Sequence, residues 1–193
     1  MIGELARDDN VIPLAYHVDY WNYLGWRDPF SSKSWTERQM MYVRSFQLSS
    51  AYTPQAVVNG GKQYVGSDER SLRATIRAES MRPAEALVAV RAGVSRVHVT
   101  ASSQRPHLDV LLAIVENGNV TPVARGENSG RSLRNDFVVR RVQCIGSLDK
   151  ASVDADLPLE LDAVWKQHPL HVVAFAQDRQ TLRIYGAASA AIP

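Results

Sequence analysis

The residues best suited to chemistry stand together near the start of the chain. His17-Val18-Asp19-Tyr20-Trp21-Asn22-Tyr23-Leu24-Gly25-Trp26-Arg27-Asp28-Pro29-Phe30 gathers five aromatic rings, a histidine and two aspartates in fourteen positions. His17 and Asp19 are two apart, so on an extended strand both side chains project to one face. That pair can act as an acid-base histidine with its orienting carboxylate, or as the first two ligands of a metal. A third and fourth ligand are missing from the neighbourhood, and His98, His107, His168 and His171 stand at no metal-ligand spacing. No metal and no cofactor are therefore expected, and the pair is read as hydrogen-bonding within itself and to the aromatic loop. Trp21, Trp26 and Asp28, with Tyr23 and Phe30, can wall a crevice for an apolar ligand or a partner's peptide, because rings bury large areas at low entropic cost; they can equally cover the end of a sheet.

A secondary candidate is Gly126-Glu127-Asn128-Ser129-Gly130-Arg131. Glu127, Asn128 and Arg131 can bind a carboxylate or phosphate, but no helix start follows and neither phosphate-loop pattern fits. A turn that locks two parts of the chain together is the simpler reading. Cys144 is the only cysteine. This excludes an internal disulfide, a Cys-x-x-Cys pair and a multi-cysteine zinc site, and its strand-like surroundings predict a buried thiol.

The elements that must position these residues follow from periodicity. Residues 1–10 read as the tail of a helix. Val11 to Val18 is a nearly continuous apolar run, as in a strand buried on both faces of a mixed or parallel sheet. Ser34 or Thr36 can cap a helix from Trp35 to about Leu48. Ala51 to Gly61 reads as a short strand entered through Thr53-Pro54 and left through a hairpin turn, and Lys62 to Gly66 as the returning strand. Asp68 or Ser67 caps a helix from Glu69 to Ser80, closed by Pro83. Beyond Ala84 the pattern changes to seven strand signals: Leu87 to Ala92, Ser95 to Ala101, Leu108 to Val115, Phe137 to Ile145, Leu157 to Leu161, His171 to Gln177 and Leu182 to Ala187. The expected architecture is α/β plus all-β, with an α/β domain over 1–83 and a small antiparallel β-sandwich over 84–193.

Composition narrows the function. With 22 basic and 20 acidic residues in 193 the net charge is +2, too weak a field to argue for nucleic acid or an anionic membrane. No apolar run approaches the roughly 20 residues that span a bilayer. The N-terminus shows no signal core, so a cytoplasmic location is expected of the chain as written.

The order of elements resembles a thioredoxin fold without its first strand and most of its first helix. The sequence is also similar to the thioredoxin-like family of bacterial proteins catalogued as domain of unknown function number 1223. The blocks that carry this likeness are His17-Val18-Asp19-Tyr20-Trp21, Leu24 to Phe30, Arg38-Gln39, Tyr52-Thr53-Pro54-Gln55 with Val58-Asn59-Gly60, and Gly126 to Arg131. The resemblance implies a cis Thr53-Pro54 bond facing a crevice shared by Tyr52, Thr53, Pro54 and Gln55, where the Thr53 backbone can pair with an extended peptide. Typical members begin with an export signal and a Cys-x-x-Cys helix start. This chain has neither, and dithiol-disulfide exchange needs two sulfurs.

Two functions are therefore carried forward. One is a non-catalytic or vestigial thioredoxin-like protein that binds an extended peptide or protein in the crevice, with no enzymatic activity as written. The other is an incomplete copy of an exported thiol-disulfide oxidoreductase-like protein, periplasmic by the family resemblance. In either case the missing first strand predicts an exposed sheet edge through which copies can associate.

Overall fold

The computed structural model describes residues 2–8, 10–124, 129–149, 152–165 and 168–193. A single helical turn, α1 (Ile2–Leu5), comes first. Val11 to Val18 then runs extended, but it does not form the expected strand. Its one strand-type pairing among the described residues is a parallel bridge between Ala15 and Val138. Ala15 N–H donates to Phe137 O at 2.8 Å, and Val139 N–H donates to Ala15 O at 2.9 Å. One bridge cannot grow into a ladder here because the segment borders a cavity along its whole length instead of a second strand.

Helix α2 (Lys33–Ser45) starts earlier than its sequence predicts. Ser32 is the cap, its Oγ accepting from Ser34 N–H at 3.2 Å, while Thr36 is turned toward Asp19. It buries Trp35, Gln39, Tyr42 and Val43 and stops at Ser45, with Gln47 at φ 53°. Strands β1 (Gln55–Val58) and β2 (Lys62–Val65) pair antiparallel through Asn59 and Gly60, at φ 46° and 64°. Two consecutive positive φ values are what a tight hairpin demands. A Cβ on Gly60 would meet the Leu182 carbonyl oxygen at 1.9 Å, so the turn lies directly against the later part of the chain. The Thr53-Pro54 bond is cis. Helix α3 spans Glu69–Ser80, as its sequence predicts: Asp68 Oδ1 accepts from Ser71 N–H at 3.1 Å, and the inward face carries Leu72 and Thr75.

Among the described residues nine strands follow: β3 (Ala86–Ala92), β4 (Arg96–Ser103), β5 (Leu108–Glu116), β6 (Asn119–Pro122), β7 (Ser132–Asn135), β8 (Val138–Ser147), β9 (Val153–Pro158), β10 (Leu170–Asp178) and β11 (Ile184–Ala191). They form a four-stranded sheet of order β11-β10-β5-β8, a three-stranded sheet β3-β4-β9 and a hairpin β6-β7. Every ladder between these strands is antiparallel. The result is a mixed fold with few helices and mostly antiparallel sheets.

The four-stranded sheet organises the molecule because both its faces are covered. One face packs against the three-stranded sheet through Val97, Val99, Val110, Leu112, Val172 and Ala174. The other, formed by Ala113, Val115, Val139, Val173 and Phe175, packs against Trp35 of α2 and against Ile12, Leu14 and Tyr16 of the extended segment. Double-sided burial accounts for the unbroken apolar runs in β5 and β10, since neither face may be polar.

Three further details depart from expectation. The strand expected at Leu157 to Leu161 lies at Val153–Pro158; beyond it Leu159 N–H still donates to Ser95 O at 2.8 Å, and Leu159 and Leu161 pack on the core. The β6-β7 hairpin goes unpredicted, its strands being four residues long and mainly polar. Cys144 is exposed, not buried. It lies on the edge strand β8, where the register jumps from Val110↔Gly146 to Leu111↔Cys144. A bulge of this kind redirects side chains.

Candidate binding site

The aromatic loop, the extended segment and the entry to β1 converge on one cavity of about 1130 Å³. Trp21, Trp26, Asp28, Thr53, Pro54 and Gln55 all line it, as does His17. Trp21, Thr53 and Pro54 are exposed and mark where it meets solvent. Ile12, Leu14, Val57, Leu72, Val173 and Ile184 give it apolar walls drawn from both halves of the chain.

The polar groups are fixed by short bonds. His17 Nδ1 lies 2.6 Å from Asp28 Oδ2, and the ring stands edge-on to Phe30, centroids 5.5 Å apart. Asp19 does not pair with His17: its Oδ1 accepts from Thr36 Oγ1 at 2.6 Å, and its own N–H donates to the same hydroxyl oxygen at 3.1 Å. The expected His17–Asp19 dyad fails because residues 17 to 19 leave the extended segment and turn into the loop, which sends the two side chains to different partners. Trp21 Nε1 donates to Thr53 Oγ1 at 2.9 Å, tying the loop to the cis-proline turn.

Gln39 is the hub on the far side. Its Oε1 accepts from Tyr20 Oη at 3.0 Å, and its Nε2 donates to Tyr52 O at 2.8 Å and to Gln55 Oε1 at 3.2 Å. The Tyr52 hydroxyl bonds Gln63 of β2, and burial raises the Tyr52 phenol above its ordinary pKa. Asp19, Tyr52 and Gln55 are thus bonded to α2 through Thr36 and Gln39, while His17–Asp28 and Trp21–Thr53 are separate pairs that brace the loop. Arg131 is elsewhere, exposed beside the β6-β7 hairpin with its carbonyl accepting from Val123 N–H at 2.8 Å. Glu127 and Asn128 lie outside the described residues.

The geometry can hold a ligand between rings, but the described residues contain no group of three or more His, Cys, Asp or Glu placed to hold a metal. No described helix is long and apolar enough to cross a membrane. Against known families, residues 1–177 match the model described as Protein of unknown function (DUF1223). The chain belongs to this family. Among solved structures, this DUF1223 chain is similar to a crystal structure of a protein from Agrobacterium tumefaciens, at 26% identity and a TM-score of 0.80, over 97% of this chain and 83% of that one. A domain of the outer membrane lipoprotein Omp28 from Porphyromonas gingivalis overlaps at 17% identity and a TM-score of 0.27, over 57% of this chain and 90% of that one. No curated protein matches.

Arg38, which enters sequence reasoning only through the family likeness and is given no site role by it, lines the DUF1223 cavity. It follows Trp35 by three positions and precedes Tyr42 by four, so it falls on the buried stripe of α2, where a charge is unexpected. Its guanidinium lies over the rings of Tyr16, Tyr42 and Phe175, with Cζ 5.2, 5.6 and 5.8 Å from their centroids. Tyr16 is pushed up to about 12, chiefly by burial and against the opposing pull of Arg38.

Proposed function

We propose that this DUF1223 protein is a thioredoxin-like protein without the redox cysteine pair, non-catalytic, that binds an extended peptide in its aromatic crevice. In this reading residues 1–83 form the thioredoxin-like domain and residues 84–193 a β-sandwich. The observation that carries it is the cavity bounded by the extended segment Val11 to Val18 and by β1, whose one strand partner among the described residues is β2. An added strand gains main-chain hydrogen bonds from such an edge, and flanking pockets select its side chains. Trp21, Trp26 and Gln55 are the selecting groups and His17, Asp28, Thr53 and Pro54 hold the walls, while Asp19 and Tyr52 brace them from behind through Thr36 and Gln63. The same edge supports self-association of copies when no peptide is present.

The test is selection of linear decapeptides on the purified chain, followed by titration against wild type and the Trp21→Ala/Trp26→Ala double variant. Roughly tenfold weaker binding by the variant is expected. Failure to enrich any peptide, or equal binding by the variant, overturns the proposal.

The second reading, an incomplete copy of an exported thiol-disulfide oxidoreductase-like protein, draws support from the same cavity, which has room for a further strand. It is separated by insulin reduction. The chain is expected to show no turnover beyond a Cys144→Ser control, since a resolving sulfur is missing.

A further inference from the structure

We infer that the cavity holds a second site: Arg38 and Tyr16 bind the head group of a long-chain monocarboxylate whose tail lies along the apolar walls. The starting point is a charge imbalance. Three arginines and a histidine line the cavity, and all but one of them have a carboxylate partner: His17 lies 2.6 Å from Asp28, Arg183 3.1 Å from Glu79 and Arg82 3.2 Å from Glu79. The remaining lining carboxylate, Glu85, is held by Arg105 at 3.1 Å. Arg38 alone among them has no carboxylate within 4 Å among the described residues.

Arg38 Nη2 donates to Gln177 Oε1 at 3.0 Å, and its guanidinium also acts on the Tyr16 phenol, opposing the rise that burial causes. Its Nε is buried without a partner, and so is the Tyr16 hydroxyl. A guanidinium cannot shed its proton to escape this situation. Buried charges are found paired, and buried donors satisfied, because leaving them bare is costly. Three aromatic faces stabilise the cation partially but offer no acceptor in the plane of the guanidinium. What the arrangement lacks is an anion with two acceptor atoms, one for Nε–H and one for the Tyr16 hydroxyl.

The surroundings select among anions. A single guanidinium and one hydroxyl suit a monoanion, whereas a phosphate dianion needs more donors than this wall offers. Around them the cavity is apolar, with Ile12, Leu14, Val173 and Ile184 at hand. Its volume of about 1130 Å³ accommodates an alkyl chain many carbons long, and each buried methylene adds to affinity. A carboxylate at the end of a hydrocarbon tail meets both conditions. The head-group contact does not depend on the thioredoxin-like reading, since Arg38 Nε and the Tyr16 hydroxyl are buried atoms, but the tail shares the Ile12 and Leu14 walls with the proposed peptide strand, so the two ligands compete.

The experiment is calorimetric titration of the full chain with dodecanoate and, separately, with dodecan-1-ol, below their aggregation concentrations, together with the carboxyl carbon resonance of [1-13C]dodecanoate. Dodecanoate is expected to bind roughly tenfold or more tightly than the alcohol, as a charge-assisted hydrogen bond requires. Arg38→Met should erase that preference and Arg38→Lys retain part of it, while Tyr16→Phe weakens dodecanoate and leaves the alcohol unchanged. Equal affinity of wild type for acid and alcohol, no binding of either, or a preference that survives Arg38→Met would overturn the inference. Because the acid-against-alcohol comparison uses the wild-type chain, it decides the matter even if Arg38→Met does not fold. Loss of peptide binding with dodecanoate binding intact would defeat only the proposed function.

Discussion

Gln177 accepts a hydrogen bond from Arg38 across 139 positions of sequence, side chain to side chain at 3.0 Å. Its Nε2 donates in turn to Tyr42 Oη at 3.0 Å and to Leu182 O at 2.6 Å. One amide therefore fastens α2 to β10 and to the turn that follows it. Gln177→Leu should destabilise the fold by about 2–3 kcal/mol, because it leaves Arg38 and Tyr42 of α2 and the Leu182 carbonyl without this partner at once. Urea denaturation measures this, and a loss under about 0.5 kcal/mol would show that the amide is dispensable.

Glycine positions make a matched pair. At Gly186 in β11 a Cβ would meet the Ala86 carbonyl oxygen at 2.0 Å, whereas at Gly118 nothing lies within 4 Å and only the φ of +78° opposes a side chain. Gly186→Ala should cost about 2–4 kcal/mol, since strand backbones must part. Gly118→Ala should cost about 1 kcal/mol. Thermal unfolding of the two variants tests the order, and reversal would refute the close approach of β11 to β3.

Acid should weaken the chain through Asp149. The hydrogen bond from Arg179 Nη2 at 2.5 Å holds this carboxylate at about 2, below its ordinary 3.8, with help from His107 N–H and Ser147. A depressed carboxylate stabilises the fold fully above its unfolded value, and that contribution fades as pH falls from 3.8 through about 2. Asp149→Asn should therefore be less stable than wild type near about pH 6 and indistinguishable from it below about pH 2. Urea midpoints across that range decide it; a gap that persists in strong acid would mean the residue acts through packing.

Cys144 is open to reagents. As an exposed thiol on the edge strand β8, it should react stoichiometrically with a maleimide in the native state, at a rate close to that in denaturant. Protection by about a hundredfold would mean that β8 is covered, as in a dimer.

How far residues alone reveal this architecture depends on where the determining contact lies. Helix α3 is readable to the residue because its cap, Asp68, and its apolar stripe are local. Strands β5 and β10 are readable because burial on both faces makes their runs continuous. Val11 to Val18 has the same apolar signature, yet it forms one bridge, since a ladder depends on a neighbour that periodicity cannot report. The His17–Asp19 spacing points to a dyad, but the loop carries Asp28 back to His17 and leaves Asp19 to Thr36. Arg38 and Gln177 are given no site role for the same reason. Each is a polar residue in an apolar stripe, and the partner that explains it is distant in sequence.

The bridge from Ala15 to Val138 also sets an order of events. Among the described residues Val11 to Val18 has its β-type partner in β8, which is synthesised long after it. Its other apolar support, Phe175 of β10, arrives later still. The long loops that these contacts close delay their formation. The sheet side of the cavity is thus completed late in synthesis, after the contact of Tyr16 with Trp35 of α2 has become available.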